Sequence, residues 1–159
     1  MIVLTSKTLT EADMTRLGQG VAVVMGKGLY GAQEMLLSIE TTLARSHRLG
    51  SDSQRLVRKA MAYIHENSAR PLTREEIARH VNASDGHLAR CFRQETGLSP
   101  MNYLNRYRIN QAQTLLATTR QSVTSIALTC GFADVNYFSR VFHQEAGLSP
   151  LAYRREHQA

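Results

Sequence analysis

The sequence predicts a mainly α protein: a seven-helix domain with two helix-turn-helix units joined by a long helix, preceded by a small β-α-β-α segment. Three observations predict it. After residue 52 the apolar residues recur at helical rather than strand spacing, and capping residues punctuate them. A nine-residue stretch then returns fifty residues later. At 159 residues, with 43% apolar and 20% charged side chains, the chain has the size and composition of a folded domain, not a disordered one. Its longest apolar run, residues 21–25, is far short of the roughly 20 residues that cross a bilayer. Met1-Ile2-Val3-Leu4 has no basic region before it and meets Thr5-Ser6-Lys7 at once, unlike a secretory signal. The sequence therefore reads as cytoplasmic, with no membrane partner.

The first elements alternate in type. Ile2-Val3-Leu4 is a short strand, and residues 9–17 a helix opened by Thr10 with Asp13 three positions on. Residues 21–25 are apolar and rich in β-branched valine, hence a second strand, which Gly26 and Gly28 interrupt. Over 31–48, Ala32, Met35, Leu36, Ile39 and Leu43 fall at i, i+3, i+4, i+7 and i+11, one face of a helix. A β-α-β-α order implies parallel strands with a right-handed crossover. Gly50-Ser51-Asp52-Ser53 marks the boundary between a segment 1–50 and a domain 51–159.

Beyond that boundary no strand pattern appears. A helix over 53–67 opens on a Ser51/Gln54 capping box, carries Leu56, Ala60 and Ile64 on one face, and stops before Pro71. Thr73-Arg74-Glu75-Glu76 is a second box, with Glu76 reaching back to the cap, and opens a helix to about residue 80. Ser84 caps the next helix, which Gly97 closes. Ser99-Pro100, a cap followed by proline at the first helical position, starts a long helix to about residue 117. Helices over 122–130, 134–145 and 150–156 complete the seven.

The repeat is the most specific feature. Phe92-Arg93-Gln94-Glu95-Thr96-Gly97-Leu98-Ser99-Pro100 returns as Phe142-His143-Gln144-Glu145-Ala146-Gly147-Leu148-Ser149-Pro150, identical at seven of nine positions. Arg90 returns as Arg140, Tyr103 as Tyr153, and Ile77-Ala78 as Ile126-Ala127 with one residue added in the second turn, which contains Gly131. Short capped helix, tight turn, second helix, glycine stop: this is the helix-turn-helix plan, whose second helix enters the DNA major groove. Two copies in one chain act like two halves of a dimer. A helix over 100–117 is roughly 27 Å long at about 1.5 Å per residue, comparable with the ~34 Å between successive major grooves. A helical scaffold for protein partners is the alternative, although stacked repeats usually need at least three copies.

Charge favours DNA. Residues 1–52 hold five basic and five acidic side chains, whereas residues 53–159 hold fourteen basic, thirteen of them arginine, against eight acidic. The whole net charge of +6 therefore lies with the repeat. Arginine suits bidentate recognition of phosphate and guanine, so duplex DNA is the expected partner. Helical geometry turns Asp85, Gly86, Ala89 and Arg90 to the groove in the first unit, with His87 counted beside them and Arg93 one turn on. In the second it selects Val135, Asn136, Ser139 and Arg140, flanked by Tyr137 and His143. Leu88, Cys91 and Phe92, and Phe138, Val141 and Phe142, take the opposite, core face. Asn136 and Arg140 make the second unit the better reader, because Gly86 and Ala89 offer almost nothing to a base edge. An ion pair with a nearby acid is the competing role for Arg90 and Arg140.

Enzymatic chemistry has no support: there is no paired-carboxylate, Ser/His/Asp or Gly-rich phosphate-loop arrangement. Cys91 and Cys130 lack Cys-x-x-Cys spacing and read as small buried hydrophobes, and the six histidines lack ligand spacing, so neither metal nor cofactor is expected.

The motifs carry a resemblance. Ile77-Ala78, His87-Leu88-x-Arg90-x-Phe92, Gly97-x-Ser99-Pro100-x-x-Tyr103 and Arg108-Ile109-x-x-Ala112-x-x-Leu115-Leu116 run into Ile126-Ala127-x-x-x-Gly131-Phe132-x-x-x-x-Tyr137-Phe138-x-Arg140-x-Phe142, and Gly147-x-Ser149-Pro150-x-x-Tyr153-Arg154 closes the set. Residues 53–159 resemble the DNA-binding domain of AraC/XylS transcription regulators. The resemblance implies base contacts at Gly86, Ala89 and Arg90 and at Asn136, Tyr137 and Arg140. It also implies activation through RNA polymerase. Residues 2–47 resemble the last β-α-β-α of a two-component receiver, with Thr5 at the switch-hydroxyl position, Lys27 at the lysine position, and Gly28 where proline is usual. The phosphoacceptor and acidic metal pair of such domains lie on earlier strands, so phosphorylation by that route is not expected of these residues. Two strands and two helices make a poor core alone, and a homodimer through residues 2–47 is expected, with docking on the helical domain of the same chain as the alternative. The competing function is a signalling module in which the receiver-like part binds proteins and the helices are scaffold.

Overall fold

In the computed structural model the described residues are 2–5, 23–26, 31, 33, 34, 36 and 52–158. Strands β1 (Ile2–Thr5) and β2 (Val23–Gly26) pair in parallel, Ile2 opposite Val23 and Thr5 opposite Gly26. The helix read over 9–17 lies outside the described residues, as does most of the one over 31–48, of which Gln33, Glu34 and Leu36 are helical. Ser51, half of the first capping box, also lies outside them.

Residues 52–158 are mainly helical, with seven helices and no strand. They are α1 (Asp52–Asn67), α2 (Arg74–His80), α3 (Asp85–Thr96), α4 (Pro100–Thr118), α5 (Val123–Thr129), α6 (Val135–Ala146) and α7 (Pro150–His157). The chain divides into two compact units, Met1–Glu66 with Thr73–Asn102, and Asn67–Leu72 with Tyr103–Ala159.

In the first unit α1 buries Val57, Ala60, Met61 and Ile64. Ala60 and Ile64 lie on the buried face as the sequence reading placed them, while Leu56 is only half-buried and Val57 and Met61 widen the stripe. Thr73 caps α2 by accepting from the Glu76 amide at 3.2 Å. The two acids beside it divide the remaining work. Glu75 is held below the usual carboxylate range by its own backbone N–H and the Thr73 hydroxyl, while Glu76 accepts from the Tyr63 hydroxyl at 3.0 Å. The α2–α3 turn is made by Asn82, the one non-glycine residue with positive φ (+55°) among those described. Asparagine tolerates that left-handed conformation better than most residues. The Ala83 amide then reaches back to the Ala78 carbonyl at 2.9 Å. Ser84 caps α3 and Gly97, at φ +76°, ends it. Leu88, Cys91 and Phe92 point inward, all buried.

The second unit repeats this plan. Ser122 caps α5, Asp134 caps α6, Gly147 ends it at φ +74°, and Ser149-Pro150 opens α7. Its turn uses Gly131 at φ +85° where the first uses Asn82, and the Phe132 amide reaches the Ala127 carbonyl at 2.9 Å. Buried Ile109, Ala112, Leu116, Ile126, Ala127, Cys130, Phe132, Phe138, Val141 and Phe142 form one core. Burial pushes the Cys130 thiol up to about 11, despite the opposing Arg108 charge, so it stays protonated at neutral pH. Phe132, Phe138, Phe142 and Tyr153 follow one another through that core at ring separations of 5.1, 5.6 and 5.5 Å. From the end of the chain, Gln158 donates to the Leu116 and Thr119 carbonyls, closing the end of α4.

Among the described residues no helix is long and apolar enough to cross a membrane.

Candidate nucleic-acid interface

Each unit presents one helix whose outer face is polar and whose inner face is locked in a core. On α3, Gly86, His87, Arg90 and Arg93 are exposed and Ala89 is half-buried. Gly86, Ala89, Arg90, Arg93 and Gln94 together line an open depression of about 400 Å³. Gln94 belongs to this surface although the groove-face count stopped at Arg93. Neither backbone nor packing demands glycine at position 86: a Cβ there meets nothing within 4 Å. Asp85 stands apart. Its carboxylate pairs with Arg74 of α2 at 2.5 Å, which ties α3 to α2 and neutralises a charge that would repel phosphate.

On α6, Asn136, Tyr137, Arg140 and His143 are exposed. Val135 and Ser139 are less exposed. Val135 is half-buried against the second unit's core, and the Ser139 hydroxyl donates back to the Val135 carbonyl at 2.9 Å. Helical spacing put Val135 outward, but as the first residue of α6 it packs against the core. Tyr137, 40% exposed, accepts a hydrogen bond from the Asn105 amide of α4 at 2.9 Å. Asn105 escaped the sequence reading because it lies 32 residues away.

The two arginines are treated alike. Arg90 and Arg140 stand at matching positions of the repeat, and neither forms an ion pair among the described residues. Each is braced by a ring three residues earlier. The Arg90 guanidinium meets His87 Nδ1 at 3.0 Å, and that of Arg140 lies 5.5 Å from the Tyr137 ring centroid. Such bracing restricts a long side chain before it binds, lowering the ordering entropy lost on contact. The competing role, an ion pair with an acid, falls instead to other arginines. Arg106 pairs with Glu145 at 2.9 Å, and Arg58 feels the charge of Glu95, its counterpart in the first copy. Glu145 is thus committed to structure. Among the described residues no group of three or more His, Cys, Asp or Glu side chains could hold a metal.

Two capped helix pairs, each ending in an exposed arginine-bearing helix, define a double helix-turn-helix DNA-binding domain. The family model for the helix-turn-helix domain matches residues 77–156. The C-terminal domain of AraT, a response regulator from Geobacillus stearothermophilus, is similar at TM-score 0.65 and 34% identity, over 69% of this chain and 91% of that one. The DNA-binding domain of AdpA, solved in complex with a target DNA, is similar at TM-score 0.60 and 32% identity, over 63% and 90%. The transcriptional activator RhaS of Klebsiella pneumoniae is 34% identical over 116 residues, covering 73% of this chain and 41% of RhaS. The chain belongs to the AraC-type helix-turn-helix family of DNA-binding transcription regulators. It spans less than half the length of the curated relatives it matches over most of its own.

Proposed function

We propose that this protein reads a bipartite site in duplex DNA, with α3 in one major groove and α6 in the next, and regulates transcription there. The observation that carries the reading is the matched pair of exposed, ring-braced arginines, Arg90 and Arg140, on the second helix of each unit. Arg93 and His143 extend the two faces toward phosphates. Asn136 can bond adenine bidentately and Arg140 guanine, so α6 carries more of the base recognition. Gly86 and Ala89 leave α3 dependent on Arg90, Arg93 and Gln94. Asp85 and Val135 are assigned to structure.

Selection of bound sequences from random duplex DNA tests the function, and a scaffold for proteins would enrich none. Arg140→Ala is expected to weaken specific binding by about 1–3 kcal/mol and to relax preference at one base pair. Equal losses on specific and random duplexes would reduce Arg140 to a phosphate contact.

The parallel pairing of β1 and β2 supports a receiver-like origin for residues 1–50, because parallel neighbours require a crossover connection. No third strand joins them among the described residues, and a two-stranded sheet is marginal alone. A homodimer through residues 2–47 is the assembly proposed to cover it, and a monomeric sedimentation profile at tens of micromolar would remove it. Activation by contact with RNA polymerase is the reading that the activator relatives favour.

A further inference from the structure

Arg108 lies in the second unit with only 7% of its surface exposed, and no base or phosphate can reach it there. Burial pulls its pKa down, a pull opposed by Cys130 and Tyr137. Desolvating a guanidinium is expensive unless its donors are matched. Here two of them are matched by backbone: Nε donates to the Ser68 carbonyl at 2.8 Å and a terminal nitrogen to the Arg70 carbonyl at 2.7 Å. The guanidinium carbon stands 5.5 Å from the Phe132 ring centroid. Gly131 presses on the same partners, since a Cβ there would sit 2.9 Å from an Arg108 nitrogen.

Three pieces of chain therefore meet at one side chain: α4, the carbonyls of 68–70, and the α5–α6 turn. From that turn the contacts run to the outer face of α6. Phe132 touches Tyr137 at 6.1 Å and Phe138 at 5.1 Å. Asn105, one helical turn before Arg108 on α4, holds the Tyr137 hydroxyl. Tyr137 in turn lies under Arg140.

We propose that Arg108 is a positioning residue for DNA reading. It fixes the α5–α6 turn against 68–70, and so sets the angle at which Asn136, Tyr137 and Arg140 meet the bases. The inference rests on the reading of α6 as a DNA reader. An apolar side chain could fill the space, but only a planar fork reaches two carbonyls while lying on a ring.

The test uses the full chain and duplexes selected with it. Arg90→Ala and Arg140→Ala first assign each specified base to α3 or α6. Arg108→Lys keeps the charge and loses the fork. Folded by circular dichroism in the cold, it is expected to lose about tenfold of discrimination at α6 bases, within the range for one bidentate contact. Discrimination at α3 bases and the salt slope stay as in the parent. Phe132→Leu, which spares both carbonyl bonds, should shift the same bases by less. Parental preferences at every base in either folded variant overturn the proposal, and so does an equal loss at both sets. If the parent selects no sequence, the DNA-reading function fails and takes this inference with it. A selected sequence with Arg108→Lys behaving as parent removes this inference alone.

Discussion

Gly131→Ala should cost the second unit on the order of 2–5 kcal/mol, more than an alanine at any other described glycine. Two terms add. At φ +85° an alanine is strained by about 1–2 kcal/mol. Its Cβ would also fall well inside 3.0 Å of the Ser68 carbonyl oxygen, an atom fixed in backbone and already bonded to Arg108. Relieving that overlap requires a backbone shift worth about 1–3 kcal/mol. Gly97 and Gly147 supply the control. Both have positive φ, but a Cβ at either meets nothing within 4 Å. Their alanine variants should lose only the conformational term. Urea denaturation of the three variants checks this, and equal losses would show that close approach plays no part.

Phe142→Ala should be comparably damaging, about 3–5 kcal/mol by the usual loss for a buried phenylalanine. Phe142 is fully buried between Phe138 and Tyr153 in the aromatic run. Against a typical total of about 5–15 kcal/mol, such a loss removes a large share of the stability. Hydrogen exchange resolved by peptide is expected to show protection falling across α5, α6 and α7. A loss below about 1 kcal/mol would mean that the neighbouring rings collapse into the space.

Local rules made most of the helices legible. Thr73, Ser84, Ser99, Ser122, Asp134 and Ser149 each accept the amide three residues on, so six helix starts were written in the residues beside them. Gly97 and Gly147 wrote two of the stops in the same way. The core faces of α3 and α6 followed from helical spacing. What stayed hidden depends on contacts between distant parts of the chain. Val135 packs against the second unit's core, and Asp85 is committed to Arg74 on another helix. The reach of Arg108 to 68 and 70 spans about forty residues, a distance no periodicity encodes. Asn82 was legible in principle, since asparagine is a recognised left-handed residue and stands as far after Ile77 as Gly131 stands after Ile126.

The stretch that repeats and the stretch that folds together are different pieces of chain. Every residue of the second motif copy lies after Tyr103, yet Asn67–Leu72, well upstream of the first recognition helix, belongs to that second folded body. A fragment cut to begin at Tyr103 would keep the motif whole and still strand a guanidinium in the interior, deprived of the two peptide oxygens that neutralise its desolvation. Neither unit is a portable cassette, because the polypeptide must leave one body for the other and return before either is complete.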